Sequence, residues 1–171
     1  MEIETDRLIL REMTRLDYGA LCKIVQDEAV MYAYEGAFTK EETDLWFLSQ
    51  RENYQKWGFG LWAAVEKKSD RMIGQCGITL QPYRERQVLE IGYLFQKAFW
   101  GQGYATEGAI ACKKYAFQKL QAQEVFSIIR DTNLPSQKVA QRNGMRWVDT
   151  ILKHYRGINM PHKVFSVKAQ T

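Results

Sequence analysis

The chain has 171 residues, of which 46% are hydrophobic and 26% charged. This composition excludes a disordered chain and supplies enough apolar side chains for the core of one domain. The net charge of +4 comes from 24 basic and 20 acidic residues without a long basic block, so it does not favour direct nucleic-acid binding. We therefore predict a single domain over residues 1–171.

The sequence lacks the usual signs of a membrane, secreted or metal-binding protein. There is no run of 18 apolar residues, and the N-terminus is acidic and polar, unlike a secretory signal. Cys22, Cys76 and Cys112 are spaced neither as a zinc site nor as a disulfide framework. We expect free buried thiols, a cytoplasmic protein without a metal or a membrane partner, and a monomer or homodimer.

Capping signals predict two helices in the first third of the chain. The apolar pattern of residues 3–11 first predicts a strand. Thr14 is a candidate N-cap for a helix that runs to about residue 27. Thr39 and Glu42 form a capping box that begins a second helix, through about residue 56. Four side chains are expected to form the buried face of this second helix: Leu45, Trp46, Leu48 and Tyr54.

An antiparallel meander then leads into a strand-helix-strand unit. Residues 60–66, 72–80 and 88–95 predict three antiparallel strands joined by polar turns. The apolar positions of residues 106–120 recur in helical steps, and residues 125–129 predict a short buried strand. This order demands a parallel strand pair with a right-handed crossover, and hence a mixed sheet. A further helix from Pro135 to Asn143 and strands over residues 147–155 and 163–167 complete the chain.

The most informative stretch joins the 88–95 strand to the helix that follows it. Residues 99–108 read Phe-Trp-Gly-Gln-Gly-Tyr-Ala-Thr-Glu-Gly, and we call residues 100–103 the glycine turn. Small residues at Gly101, Gly103 and Ala105 leave backbone N–H groups uncovered where the positive end of a helix begins. The turn therefore predicts a phosphate-binding site.

Two common nucleotide motifs do not fit this turn. A dinucleotide fingerprint requires a third glycine, and Thr106 stands in its place. The acidic residue such a site needs is also missing, since Asp131 lies 28 residues beyond Gly103. A P-loop requires Gly-Lys followed by Ser or Thr, and the sequence has none.

The same region resembles the acetyl-CoA segment of the GNAT acyltransferases. That segment consists of residues 90–93, which read Glu-Ile-Gly-Tyr, followed by residues 100–107. Gly103 and Ala105 match the family's glycine-rich loop, whereas Trp100 replaces its Gln or Arg. The resemblance implies an α/β GNAT fold, with a mixed central sheet of about seven strands and about four helices. It also implies an acetyl-CoA-dependent N-acetyltransferase.

Two further segments are similar to the RimJ/RimL-like subgroup, whose members acetylate protein N-termini. Asn133, Ser136 and residues 143–145 resemble its N-x-x-S…G-F pattern, with Met145 in the place of Phe. Residues 5–11 resemble its first strand. The resemblance thus favours a protein or peptide N-terminal α-amino group as the acceptor. The alternatives are a small-molecule amine, such as a polyamine, amino acid or antibiotic, and a non-catalytic acyl-CoA-binding regulatory module.

The resemblance also implies where acetyl-CoA lies. Its pantetheine arm follows the 88–95 strand, and its pyrophosphate meets the N–H groups at the glycine turn. Asn133 contacts the pantetheine amide or caps its helix, and Lys138 and Arg142 are candidates for the CoA phosphates. The expected cosubstrate contacts are Ile91, Gly92, Tyr93, Leu94, Trp100, Gly101, Gln102, Gly103, Tyr104, Ala105, Thr106, Asn133, Ser136, Lys138 and Arg142.

Two residues are candidates for catalysis. Glu90, a carboxylate in a central strand, is the candidate base for the amine proton, directly or through water. Its alternatives are an ion pair with Arg84 or Arg86 and a substrate-orienting role. Ser136 is the candidate hydrogen-bond donor to the leaving thiolate, and its alternative is a helix cap. Many GNAT enzymes instead carry a tyrosine seven residues after the Asn, where this chain has Ala140.

Three residues are candidates for the acceptor site. Tyr34 and Glu35 lie in the loop over residues 31–38, which borders the acceptor site in this fold. Tyr155 ends a predicted strand that can border it too. Glu35 is expected to attract a cationic amine.

Overall fold

The computed structural model describes residues 1–170, which form one mixed sheet of eight strands and four α-helices. The strands are β1 (Glu2–Glu4), β2 (Leu8–Arg11), β3 (Leu61–Glu66), β4 (Arg71–Tyr83), β5 (Arg86–Phe95), β6 (Glu124–Arg130), β7 (Arg146–Tyr155) and β8 (Ile158–Lys168). The helices are α1 (Tyr18–Val25), α2 (Lys40–Trp57), α3 (Tyr104–Gln118) and α4 (Leu134–Arg142).

The strand order across the sheet is β1-β2-β3-β4-β5-β6-β8-β7. Within the described part of the chain, β5 and β6 are parallel and every other neighbouring pair is antiparallel. Since α3 connects β5 to β6, the predicted strand-helix-strand unit is confirmed. The sheet has one strand more than the expected seven because the first predicted strand is divided.

That division is a correction to the strand predicted over residues 3–11. β1 and β2 form an antiparallel hairpin, in which Ile3 pairs with Leu10. Thr5 closes the turn, since its N–H donates to the Leu8 carbonyl at 2.9 Å and its hydroxyl accepts from the Leu8 N–H at 2.9 Å. The sequence has no glycine or proline at this turn, so its apolar pattern predicted one continuous strand instead of two.

Both predicted helix starts are confirmed. Thr14 forms a capping box with Asp17 in a short 3-10 turn that leads into α1. Thr39 forms the expected box with Glu42: the threonine hydroxyl accepts from the Glu42 N–H at 3.1 Å, and the Glu42 carboxylate accepts from the Thr39 N–H at 2.8 Å. Each pair satisfies backbone donors that a helix start leaves free.

The face that α2 buries agrees with the predicted one only in part: Tyr54 is buried and Trp46 is half-buried, as expected. Leu45 and Leu48 are 68% and 53% exposed, so the prediction that they are buried was wrong. Gln50 accepts a hydrogen bond from the Leu61 N–H at 2.8 Å, and the Tyr54 hydroxyl donates to the Leu61 carbonyl. Polar contacts with β3 thus help to orient α2. The buried residues of α2 are Thr43, Phe47, Gln50 and Tyr54.

The packing of α3 sets the position of the glycine turn. Ala109, Cys112 and Ala116 are at most 1% exposed and lie at helical spacing on the face toward the sheet. Gly108 allows close contact with β4, since a Cβ there would lie 2.8 Å from the Cys76 Sγ. Cys76 and Cys112 are buried free thiols with sulfurs 3.7 Å apart. No helix among residues 1–170 is long and apolar enough to cross a membrane.

Candidate functional site

The sheet opens between its two parallel strands. β5 and β6 pair in register at Glu90 and Phe126, although each strand is at least 7 residues long. One residue further along, the Ser127 hydroxyl donates to the Ile91 carbonyl at 2.8 Å. A side-chain hydrogen bond thus stands where a backbone hydrogen bond between the strands would continue the ladder. The carboxyl ends of β5 and β6 lie beyond this point, and α/β sheets bind ligands at such ends.

Two helices begin at this edge of the sheet. α3 follows the glycine turn, in which Gly101 and Gly103 have φ angles of +70° and +82° that favour glycine. The first helical bond at this end joins the Glu107 N–H to the Gly103 carbonyl at 3.0 Å. Helix geometry therefore leaves the N–H groups of Tyr104, Ala105 and Thr106 available to an anion.

The second helix start contains Asn133 and Ser136. Asn133 is the cap of α4, because its Oδ1 accepts from the Ser136 N–H at 3.3 Å. Ser136 is therefore not the N-cap, which removes its alternative role. Its carbonyl instead accepts a hydrogen bond from the Tyr93 hydroxyl at 2.8 Å. Burial raises the pKa of Tyr93 well above its ordinary value, so the phenol stays protonated.

Glu90 lies at the last paired position before the strands separate. Its Oε2 is buried and has no hydrogen-bond partner among residues 1–170. Burial raises the pKa of Glu90 to about 7, against the opposing effect of the Lys153 ammonium. The alternative ion pairs are not formed: Arg84 contacts Asp149 at 2.7 Å, and Arg86 lies 4.0 Å from Glu124.

Charged contacts hold the glycine turn from the N-terminal hairpin. The Arg7 Nε lies 2.7 Å from a Glu107 carboxylate oxygen, and its Nη1 donates to the Gln102 carbonyl at 2.8 Å. The guanidinium also covers the Tyr104 ring, with 4.3 Å between its carbon and the ring centroid. Thr5 donates to the same carboxylate at 2.6 Å.

The three candidate acceptor residues come together. Tyr34 packs edge-on against Tyr155 with ring centroids 6.0 Å apart, and burial with the nearby Glu90 carboxylate raises the pKa of Tyr34 well above its ordinary value. Glu35 lies 2.7 Å from Arg130, so the negative charge expected to attract an amine is neutralised. Arg156 donates to the Glu35 carbonyl at 3.3 Å and ties the β7–β8 hairpin to this loop.

The remaining candidates lie at the rim. Trp100 is 48% exposed and donates its indole N–H to the Phe95 carbonyl at 2.9 Å, so it closes the end of β5. Lys138 and Arg142 are exposed on α4. Gly92 and Leu94 follow Glu90 on β5, and both are partly exposed. Residues 1–170 contain no group of three His, Cys, Asp or Glu side chains arranged for a metal ion.

Sequence reasoning missed four residues at the site: Arg7, Glu107, Arg130 and Lys153. Arg7 and Glu107 lie inside segments that resemble the family, but nothing in the pattern shows that residues 100 positions apart touch. Lys153 lies two residues before Tyr155 in a strand, and the alternation of that strand was the available signal.

The sheet opens between two parallel strands, α3 begins just after β5, and the Glu90 carboxylate lies at the opening, which is the arrangement expected of an acyl-CoA-dependent transferase. The acetyltransferase (GNAT) domain family model matches residues 7–146. The chain therefore belongs to the GNAT family, and it is an acetyl-CoA-dependent N-acetyltransferase.

The chain is also similar to individual proteins along most of its length. The uncharacterized protein YkkB of Bacillus subtilis is 36% identical over 169 residues, which cover 98% of this chain and 96% of the relative. The uncharacterized N-acetyltransferase YnaD of the same species is 30% identical over 148 residues, 85% and 83% of the two chains. The fold is similar to that of RimL, a ribosomal L7/L12 alpha-N-protein acetyltransferase in complex with coenzyme A. The TM-score is 0.80 at 18% identity, with 98% of each chain covered.

Proposed function

We propose that the chain is a single RimJ/RimL-like domain that acetylates a protein or peptide N-terminal α-amino group. The observation that carries this proposal is the Glu90 carboxyl, whose Oε2 is buried without a partner at the point where β5 and β6 separate. The similarity in fold to an enzyme named for α-N-protein acetylation supports it.

The reaction needs no covalent enzyme intermediate. Glu90 first takes a proton from the ammonium form of the acceptor, directly or through a water molecule. The neutral amine then attacks the thioester carbonyl, and the N–C bond forms as the C–S bond breaks. The proton that the nitrogen loses in this step balances the proton that the leaving thiolate gains, and Glu90 returns its own proton to solvent. A carboxylate with a pKa of about 7 is a useful base at neutral pH, because it is then partly ionised and still accepts a proton.

This base suits an α-amino group better than a lysine side chain. An α-amino group has a pKa of about 8, whereas that of lysine is about 10.4. The pKa of an α-amino group is therefore only about one unit above that of Glu90, whereas the pKa of a lysine is about three units above it. Proton transfer to Glu90 is correspondingly less unfavourable from the α-amino group. The ring of Tyr34, which lies near Glu90, packs against Tyr155, and the first residues of a peptide can pack on these two rings.

The cosubstrate is proposed to span the opening in the sheet. Its pyrophosphate binds the free N–H groups at the start of α3, and its pantetheine arm lies along β5. The Ile91 carbonyl is already bonded to Ser127, so the arm pairs with β5 beyond this residue. Asn133 acts through its cap of α4, which leaves the Ser136 hydroxyl available to the leaving sulfur.

An acceptor panel tests the proposal. Purified protein is incubated with acetyl-CoA and with peptides that carry a free α-amino group, matched peptides with a blocked N-terminus and one lysine, a polyamine, amino acids and an aminoglycoside. Thiol release and the mass of the product are measured. We expect acetylation of the free N-termini alone. Turnover confined to the polyamine, amino acids or aminoglycoside would contradict the protein acceptor.

A further inference from the structure

We propose that Arg7 is a positioning residue for the cosubstrate, which holds the glycine turn in its phosphate-binding form and neutralises Glu107. This inference rests on the proposed function, because it assumes that the pyrophosphate binds at the start of α3. It assigns a role to a residue of the N-terminal hairpin, far along the chain from the turn.

The contacts of Arg7 meet the turn at three points. Its Nη1 donates to the Gln102 carbonyl at 2.8 Å, in the middle of the turn. Its guanidinium lies over Tyr104, the first residue of α3, and its Nη2 would lie 3.3 Å from a Cβ at Gly103. The contact with Gln102 fixes the direction of one peptide plane, and hence of the N–H group at Gly103.

The second part of the role is electrostatic. Glu107 lies in the first turn of α3, next to the proposed pyrophosphate. Although partial burial opposes ionisation, hydrogen bonds from Thr5 and from the backbone and side chain of Arg7 lower the pKa of Glu107 below its ordinary value. The carboxylate is thus charged at neutral pH, and without a counter-charge it would repel a phosphate.

Arg7 supplies that counter-charge in a fixed geometry. Its backbone N–H donates to one Glu107 oxygen at 2.8 Å and its Nε to the other at 2.7 Å. These bonds and the one to Gln102 use the backbone N–H, Nε and Nη1, and Nη2 lies on the Gly103 side of the guanidinium. The side chain is 44% exposed, so we expect its effect on binding to weaken as salt rises.

Two acetyl donors test this role. Acetyl-CoA carries the pyrophosphate, and S-acetylpantetheine carries the same thioester without any phosphate. In Arg7→Gln we expect the Kd and KM for acetyl-CoA to rise about 10-fold or more, from the loss of charge-assisted hydrogen bonds, while kcat changes little. The kcat/KM for S-acetylpantetheine should stay the same.

Matched variants separate positioning from folding and from net charge. Arg15→Gln removes one exposed positive charge beyond the other end of β2 and should leave both donors unaffected. Adding Glu107→Gln to Arg7→Gln removes the uncompensated carboxylate and should recover part of the acetyl-CoA affinity. Thermal unfolding of each variant identifies a loss of fold.

Three outcomes would overturn the inference: unchanged acetyl-CoA affinity in Arg7→Gln, an equal loss with both donors, or no recovery in the double variant. Failure of the proposed function is a separate result. It would show as wild-type protein that binds acetyl-CoA with no dependence on the pyrophosphate, or that acetylates no N-terminus.

Discussion

The Tyr93 hydroxyl reaches from β5 to the first turn of α4 and donates a hydrogen bond to the Ser136 carbonyl at 2.8 Å. This contact spans the opening at which the two parallel strands part. It brings a protonated phenol next to Ser136, and we expect the Ser136 hydroxyl to donate to the sulfur of the bound cosubstrate.

Ser136→Ala is expected to lower kcat about 10-fold, because the leaving thiolate loses a hydrogen-bond donor. The affinity for CoA should change much less, since the phosphates bind elsewhere. Steady-state kinetics and calorimetric titration with CoA measure the two effects. Tyr93→Phe is the companion variant, and equal kcat for Ser136→Ala and wild type would assign the thiolate contact to Tyr93 or to solvent.

Glu90→Gln should reduce turnover strongly and stabilise the fold at alkaline pH. The folded-state pKa of about 7 lies above the unfolded value of about 4.3, so the neutral carboxyl is the form that the fold favours. Its contribution to stability is complete below pH 4.3 and is lost as the pH rises through 7. Glutamine avoids that loss.

Thermal unfolding of Glu90→Gln at pH 4 and pH 8 measures the effect. We expect a gain on the order of 3 to 4 kcal/mol at pH 8 and none at pH 4. In the wild type, kcat/KM should rise with pH through about 7 as the base ionises. A stability difference that is the same at both pH values would show that Glu90 is not a buried titrating group.

Lys153→Met should raise the pKa of Glu90 further. The Lys153 ammonium favours the ionised carboxylate, so its removal shifts the rising limb of the pH–rate profile to higher pH. Lys168→Met removes an exposed lysine at the end of β8 and serves as the control. A profile unchanged in Lys153→Met would mean that another group sets the rising limb.

Gly103→Glu should abolish CoA binding. The backbone φ of +82° disfavours any side chain there, and the carboxylate would stand at the start of α3 in competition with the phosphates. Gly157→Glu is matched for backbone strain, since Gly157 has a φ of +75° in the β7–β8 turn. We expect calorimetry to detect binding in the control only; wild-type affinity in Gly103→Glu would remove the site assignment.

Gly77→Ala should destabilise the fold by about 3 kcal/mol or more. A Cβ at Gly77 would lie 2.0 Å from the Gly60 carbonyl oxygen. The contact is with backbone atoms, which cannot move aside as a flexible side chain can. Gly19→Ala, in α1 with nothing within 4 Å, should instead be neutral or stabilising by up to about 1 kcal/mol. Denaturant unfolding compares them, and similar stabilities would refute the close contact.

The sequence predicted the order of elements well because most of them carry a local signal. The N-cap at Thr14, the capping box at Thr39 and the helical spacing of Ala109, Cys112 and Ala116 are each visible within one or two turns of chain. The prediction of the buried face of α2 was partly wrong because two of its buried residues, Thr43 and Gln50, are polar. Their burial depends on Leu61 in β3 and on Gln26 just after α1, and local periodicity does not report such partners.

In the candidate site, too, the features that are local in sequence were predicted and the contacts between distant segments were not. The glycine turn was found because glycine spacing and a helix start are adjacent in sequence. The neutralisation of Glu35 by Arg130 was not, since that contact joins loop 31–38 to the end of β6. The burial of Glu90 was suggested by a charged residue in a central strand, but its isolation from Arg84 required the position of Asp149.

The hairpin of β1 and β2 makes the beginning of the chain part of the proposed cosubstrate half of the protein. Arg7 and the carbonyl it holds are 95 residues apart, and Thr5 and Arg7 share one carboxylate of α3. A deletion of residues 1–7 would therefore remove both side chains from the Glu107 carboxylate. We expect such a shortened chain to lose affinity for acetyl-CoA, although none of the candidate catalytic residues lies in the deleted segment.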